Sequence, residues 1–256
     1  AKGELLLTPA GELYVEAARK VIQIQKDLYH NIRGLNHKGH ITIGVTSQFG
    51  LRMLTEIIPV YKKEFPQVTI EITESNVPTL TRMILEEGID CAVMALNCAD
   101  AFAGEQVSLL RKEEVLFAVP AAHGYCLRNQ TGNLTREELV REFKDENFML
   151  SKKGSTLREL ADRIFASAGF QPSTMCETNS IIATRAMVAK GIGVTFIARS
   201  CVSDRENVAY YSLNPRMYRY NALVRRKNLI QNEPERALFR YIRGYFERQD
   251  EDGPGD

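Results

Sequence analysis

The sequence predicts an α/β protein of two lobes, preceded by one long helix. Three observations carry this. Strand-like and helix-like patterns alternate from residue 39 onward, first over residues 39–122 and again over residues 123–218. Strand-like runs at Glu114–Pro120 and Arg219–Arg225 bracket the second set, so the chain is expected to enter lobe I, fill lobe II and return to lobe I through residues 219–249. Residues 9–38 read as an amphipathic helix with no evident partner in the neighbouring sequence.

The N-terminal segment, residues 1–38, begins as the tail of a strand and turns into this helix. Thr8 is a good N-cap, and Pro9 stands at the first helical position, where its missing N–H costs nothing. Glu12 and Glu16 place negative charge near the positive end of the helix dipole. Ala17, Ile24 and Asn31 recur at seven-residue spacing, as do Val21, Leu28 and Leu35, a short seam of the kind that pairs helices. An Asn in such a seam stabilises poorly but fixes register. The same periodicity fits an ordinary surface helix docked on the protein's own core equally well.

In lobe I, His40–Val45 reads as a strand, followed by Thr46, Ser47 and a helix from about Phe49 to Glu64. Leu51, Leu54, Ile57, Ile58 and Tyr61 fall at helical spacing, and Pro66 closes the segment. Val68–Thr73 alternates like a strand, and Thr79–Glu87 reads as a helix stopped by Gly88. Asp90–Ala95 is a short apolar run that fits a buried parallel strand. Such a βαβαβ series implies a right-handed, doubly wound sheet with helices on both faces.

In lobe II, Thr135–Glu138 has the form of a capping box, and Asn147–Leu150 reads as a strand. Gly154-Ser155-Thr156 leads into a helix ending near Gly169, and Ser180–Lys190 forms another, stopped by Gly191. Gly193–Ile197 is the strand after that, and a last helix from about Asn232 to Arg248 carries Leu238, Phe239, Ile242, Tyr245 and Phe246 on one face. The acidic, Gly- and Pro-containing tail 250–256 is expected to be disordered. Two α/β lobes joined by two crossing strands make a type 2 periplasmic-binding-protein-like architecture, whose ligands sit between the lobes.

Composition excludes several functions. The formal net charge is +1, and residues 1–38 hold six Lys or Arg against four Asp or Glu, so there is no basic stripe for phosphates. The five cysteines form no CxxC pair, and none of the four histidines stands at metal-ligand spacing from one; neither metal nor cofactor is expected. The thiols read as small apolar residues in a reducing compartment. Without an apolar run of 18 residues or a signal peptide, the chain is expected to be cytoplasmic, with no membrane partner.

The run Leu7-Thr8-Pro9-Ala10-Gly11-Glu12 resembles the join between wing and linker helix in LysR-type transcriptional regulators. The resemblance extends over nearly the whole chain. Gly44, Ile58-Pro59, Phe65-Pro66, Gly88-Ile89-Asp90, Val119-Pro120 and Val188–Val194 match the family's order and spacing. In that family a winged helix-turn-helix precedes the linker helix, and the linker helix dimerises the protein. The resemblance implies an effector-binding part with the two-lobed architecture, assembled as a homo-dimer or tetramer. It also implies contact with DNA only through an N-terminal domain expected to be missing here, since the sequence starts at Ala1.

The best candidate site comes from two hydroxyl-bearing loops. Thr46 and Ser47 follow the first strand, and Ser151, Lys152, Ser155 and Thr156 hold the corresponding place in lobe II. Strand ends beside helix N-termini offer backbone N–H groups and a positive partial charge. Hydroxyls add donors and Lys152 a formal charge, so the favoured effector is a small carboxylate or other anion. Each Ser or Thr also reads, singly, as a plain N-cap. The resemblance adds Thr195 and Phe196 as effector contacts.

Catalysis is not expected. His30, His37, His40 and His123 lack a neighbouring nucleophile with an orienting acid, and Asp90 reads as a turn residue. Gly191-Ile192-Gly193 ends a helix instead of opening one on a phosphate. Gly124–Gln130 resembles the sequence around the reactive cysteine of peroxide-sensing members, but it follows the first crossing strand; the corresponding place in lobe II holds Thr156. Arg128 beside Cys126 leaves thiol reactivity open. The readings converge on the ligand-sensing and dimerisation part of a LysR-type bacterial transcription regulator. A solute-binding protein of a transport system, the alternative, shares the cleft but needs no paired helix at residues 9–38.

Overall fold

The computed structural model describes residues 7–34, 39–46, 48–98, 102, 106–129, 131–227 and 231–251. Helix α1 (Pro9–Gly34) begins where Thr8 caps it, the Thr8 Oγ1 accepting from the Gly11 N–H at 3.1 Å. Its apolar side chains are not docked on the lobes: Leu13, Val21, Ile24 and Leu28 are each more than half exposed. Leu35, the strand tail before Leu7 and the side chain of Asn31 lie outside the described residues.

Lobe I contains β1 (His40–Val45), α2 (Gln48–Glu64), β2 (Thr69–Glu74), α3 (Val77–Leu85) and β3 (Cys91–Leu96). The chain leaves it on β4 (Val107–Pro120), returns on β9 (Val208–Arg225) and closes with α8 (Glu233–Glu251). β1 pairs in parallel with β2 and β3, and β9 pairs antiparallel with both β3 and β4. Alternation along the strands sorts the core into two layers. Ile41, Ile43 and Val45 pack on Met53, Leu54 and Ile57 of α2 and on Leu238, Ile242 and Phe246 of α8. Ala92 and Met94 face the other way, onto Leu80 and Ile84 of α3. Gly44 allows that close approach, since a Cβ there would stand 2.7 Å from Leu80 Cδ2.

Lobe II holds α4 (Gly124–Arg128), β5 (Asn133–Thr135), α5 (Arg136–Phe143), β6 (Asn147–Leu150), α6 (Thr156–Ala168), β7 (Ser173–Glu177), α7 (Ile181–Ala189) and β8 (Thr195–Ala198). The capping box at Thr135 is complete: its hydroxyl accepts from the Glu138 N–H at 3.2 Å, and Glu138 accepts from the Thr135 N–H at 2.8 Å. Phe117 and Val119 of β4 pack on α5 and α6, while Leu116 and Ala118 face α7. β6 and β7 form a sheet of their own. A parallel bridge joins it to the main sheet, with Met149 N–H donating to Val194 O at 2.9 Å and Val194 N–H to Asn147 O at 2.8 Å. Gly193 makes the bridge possible, because a Cβ there would lie 2.1 Å from Asn147 O.

The expected lobe boundaries at 122/123 and 218/219 need correction. Both crossing strands are longer than expected, and residues 115–119 already pack in the cores of lobe II. The change of lobe falls where the β4–β9 register breaks: Val115 pairs with Met217 but Leu116 with Ser212, so Leu213–Arg216 bulge from the ladder. The expected disordered tail also starts later, because Asp250 and Glu251 belong to α8; residues 252–256 lie outside the described set. No described helix is long and apolar enough to cross a membrane.

Just before the register break, Glu113 faces Arg219, each about 3% exposed. Arg219 Nε donates to Glu113 Oε2 at 2.8 Å and Asn221 Nδ2 to the same oxygen at 3.1 Å. The other oxygen accepts from Ser200 N–H at 2.9 Å, in the turn Arg199–Cys201 after β8. Burial alone would push this carboxyl's pKa up. The Arg219 charge and the hydrogen bonds from Ser200 and Arg219 outweigh that and hold it at about 2, against an ordinary 4.5.

Gly193→Ala should lower stability by about 2 kcal/mol or more in urea denaturation, by forcing β6 away from Val194. An unchanged midpoint would contradict the bridge. Because Glu113 titrates lower in the folded state than unfolded, its contribution is full above about pH 4.5 and is lost as pH falls towards 2. Glu113→Gln should therefore be less stable at neutral pH but lose less stability than the wild type between those limits, measured as denaturation midpoint against pH.

Candidate functional site

The parallel strands of each lobe deliver the chain, at their carboxyl ends, to the cleft between the lobes. Each connection there opens a helix: α2 after β1, α3 after β2, α6 after β6 and α7 after β7. The cleft encloses about 520 Å³, including space open to solvent. Thr46, Asn76, Val77 and Ala95 line it from lobe I, and Ser151, Ser155, Thr156, Leu157, Asn179 and Ile181 from lobe II. Cys201 and Arg219 complete the lining beside the crossing strands.

Four of the expected site residues, Thr46, Ser151, Ser155 and Thr156, are brought together here. The Thr46 hydroxyl accepts from Ala95 N–H at 3.0 Å and so ties the end of β1 to β3. Ser155 is the N-cap of α6, accepting from Arg158 N–H at 3.2 Å. Thr156 Oγ1 donates to Ala95 O at 3.2 Å, a hydrogen bond from lobe II to lobe I. Two more contacts cross between the lobes: Ile182 N–H donates to Gln48 Oε1 at 3.3 Å, and Asn97 Nδ2 to Glu159 Oε2 at 2.5 Å.

The remaining expectations fare differently. Ser47 lies outside the described residues. Lys152 is exposed and does not line the cleft; its backbone N–H donates to Asn179 Oδ1 at 3.0 Å. Thr195 and Phe196 are buried, because β8 is covered on both faces. The Thr195 hydroxyl donates to Met149 O at 2.6 Å, and the Phe196 ring stands 5.1 Å from that of Phe117 in the lobe II core. Both build the sheet and not the cleft wall.

Sequence reasoning missed Asn76, Asn179, Ile181, Cys201 and Arg219 as lining residues. Asn76 had a readable signal, since Asn76-Val77-Pro78 is an N-cap with Pro in the first turn, and its side chain accepts from Thr79 N–H at 2.9 Å. Arg219 had none, because a charge at the head of a strand reads as solvated.

The helix N-termini at Asn76, Ser155 and Ser180 converge on the cleft, each adding positive partial charge. Arg219 is the one charged side chain among the described lining residues. The Arg219 charge is paired with Glu113, so the positive potential of the cleft comes chiefly from the helix N-termini. Cys126 lies apart from it, its Sγ donating to Pro120 O at 3.3 Å, and Arg128 is engaged with Glu142 at 2.6 Å. Among the described residues no group of His, Cys, Asp or Glu is placed to hold a metal ion.

Comparison with known proteins agrees with this architecture. The chain is 23% identical over 202 residues to the probable RuBisCO transcriptional regulator of Trieres chinensis, a match covering 77% of this chain but only 64% of that protein. The regulatory domain of Synechocystis PCC6803 CcmR in complex with 2-PG superposes with a TM-score of 0.69 at 11% identity, over 82% of this chain and 98% of that one. A full-length OxyR variant from Pseudomonas aeruginosa superposes with a TM-score of 0.65 at 22% identity, over 98% of this chain and 83% of that one. Residues 36–247, most of the chain, match the LysR substrate binding domain, and the chain belongs to that family.

Proposed function

We propose that this chain is the ligand-sensing and dimerisation part of a LysR-type bacterial transcription regulator acting in the cytoplasm, and that its effector is a small anion held between the lobes. The observation that carries the reading is the cleft itself, where three helix N-termini and an arginine converge and no carboxylate is among the described lining residues. The effector bridges Thr46 of lobe I and Ser151, Ser155 and Thr156 of lobe II, and so favours one lobe orientation over another. The chain is not an enzyme in this reading, and DNA is reached only through a domain joined to α1.

The seam of α1 supports the dimer. Ala17, Val21, Ile24 and Leu28 are exposed on a 26-residue helix, where a second copy of the same helix would cover them. A transport solute-binding protein has no use for such a helix, and the relative reported above is a regulator.

Calorimetric titration with small carboxylates and phosphate esters, 2-PG among them, should find a binder whose affinity falls roughly five- to tenfold in Thr156→Val. Binding of neutral or cationic ligands alone would sink the anion reading. Light scattering should give a dimer or larger, and Ile24→Glu combined with Leu28→Glu should reduce the mass. A wild-type monomer at high concentration would favour the transport alternative.

A further inference from the structure

Arg219 reaches the cleft in an unusual state. Its side chain is 97% buried, since only 3% of the residue is exposed, yet its Nη2 has no hydrogen-bond partner among the described residues. On the same side of the guanidinium, Nε donates to Glu113 Oε2 at 2.8 Å. Glu113 in turn is held by Asn221 and by the Ser200 N–H, so the planar group is fixed in orientation by a network it did not need for the cleft. A buried, charged donor left without an acceptor is costly, and such orphans call for an explanation. The lining itself offers it neither a carboxylate nor, among the described residues, a second cation.

We infer that Arg219 is the charged anchor of the cleft, its Nη2 donating to the carboxylate of a singly charged organic acid. This rests on the cleft-binding reading above and adds which residue recognises the charge and which charge it selects. Glu113 lies between Arg219 and Arg111, whose Nη2 stands 3.8 Å from Glu113 Oε1, so these three side chains together carry one net positive charge, which one carboxylate balances. A phosphate dianion would need a second cation. The helix N-termini supply partial charges around the same point, and the Thr156 hydroxyl stands on the opposite lobe, so an acid seated on Arg219 touches both sides of the hinge.

Acetate tests this without knowledge of the natural effector, because it is small enough for any carboxylate seat. Thermal unfolding of the whole chain is followed against acetate, inorganic phosphate and chloride at equal ionic strength. The wild type should show a saturable rise of Tm with acetate, weaker with phosphate and absent with chloride. Arg219→Gln alone would leave Glu113 buried and unpaired, so the working variant is Glu113→Gln with Arg219→Gln, in which apparent acetate affinity should fall tenfold or more; Arg219→Lys should keep part of it. No saturable acetate response in the wild type, an equal response in the double variant, or a stronger response to phosphate overturns the inference. Thr156→Val separates the two claims. A response lost in Thr156→Val but kept in the double variant leaves the cleft reading standing without Arg219; a response kept in both places the anion outside the cleft, and both readings fall.

Discussion

A buried ion pair governs the junction of the two lobes. Glu113 and Arg219 face each other on β4 and β9, the two strands among the described residues that run between lobes, immediately before their register breaks at Val115 and Leu116. Taking both groups out of water is expensive, and the pair is tolerable because each Glu113 oxygen finds further donors, Asn221 on β9 and Ser200 after β8. Two chain segments, β9 and the turn at Ser200, are thereby bound to one carboxylate of β4. The ladder runs in unbroken register from Arg111 to Val115, and the larger of its two irregularities is Leu213–Arg216. A hinge needs such a division, with a stiff stretch beside one that can change.

The cleft follows from parallel pairing. Strands that run the same way end on the same edge of the sheet, and the helices that follow begin there, so their N-termini gather without any dedicated residue. In a two-lobed chain the two edges meet. The described contacts that join them, Thr156 to Ala95, Gln48 to Ile182 and Asn97 to Glu159, are single hydrogen bonds. Each contributes on the order of 1 kcal/mol net, so closure is weakly set and a ligand bound to both sides can redistribute it.

Much of the fold was legible because its signals are local. The Thr135 capping box, the Ser155 and Ser180 caps, and the glycine stops at Gly169 and Gly191 each need only a few neighbouring residues, and each lies where the sequence put it. The crossing strands were read too short because Ser108 to Glu113 carries no apolar alternation, and β9 is interrupted by Asn214, Pro215 and Arg216, which have no partner on β4. The same gap hid Arg219. Its burial depends on Glu113, 106 residues earlier. Thr195 and Phe196 failed in the opposite direction, since a strand covered on both faces offers no wall to a cleft, and nothing local distinguishes it from one that does.

The connection from cleft to α1 is short in sequence. α1 precedes β1, whose far end is Thr46 in the cleft wall, while among the described elements lobe II is reached through β4 and β9. In the proposed dimer, lobe I is the lobe joined in sequence to α1, and lobe II is the part the ligand would move. Under the proposed function, a ligand that ties Thr156 to the floor of the cleft would reposition lobe II against lobe I. The coupling requires no change within either lobe's core. It requires only that the four-residue bulge Leu213–Arg216 absorb the rotation while the ion pair beside it holds.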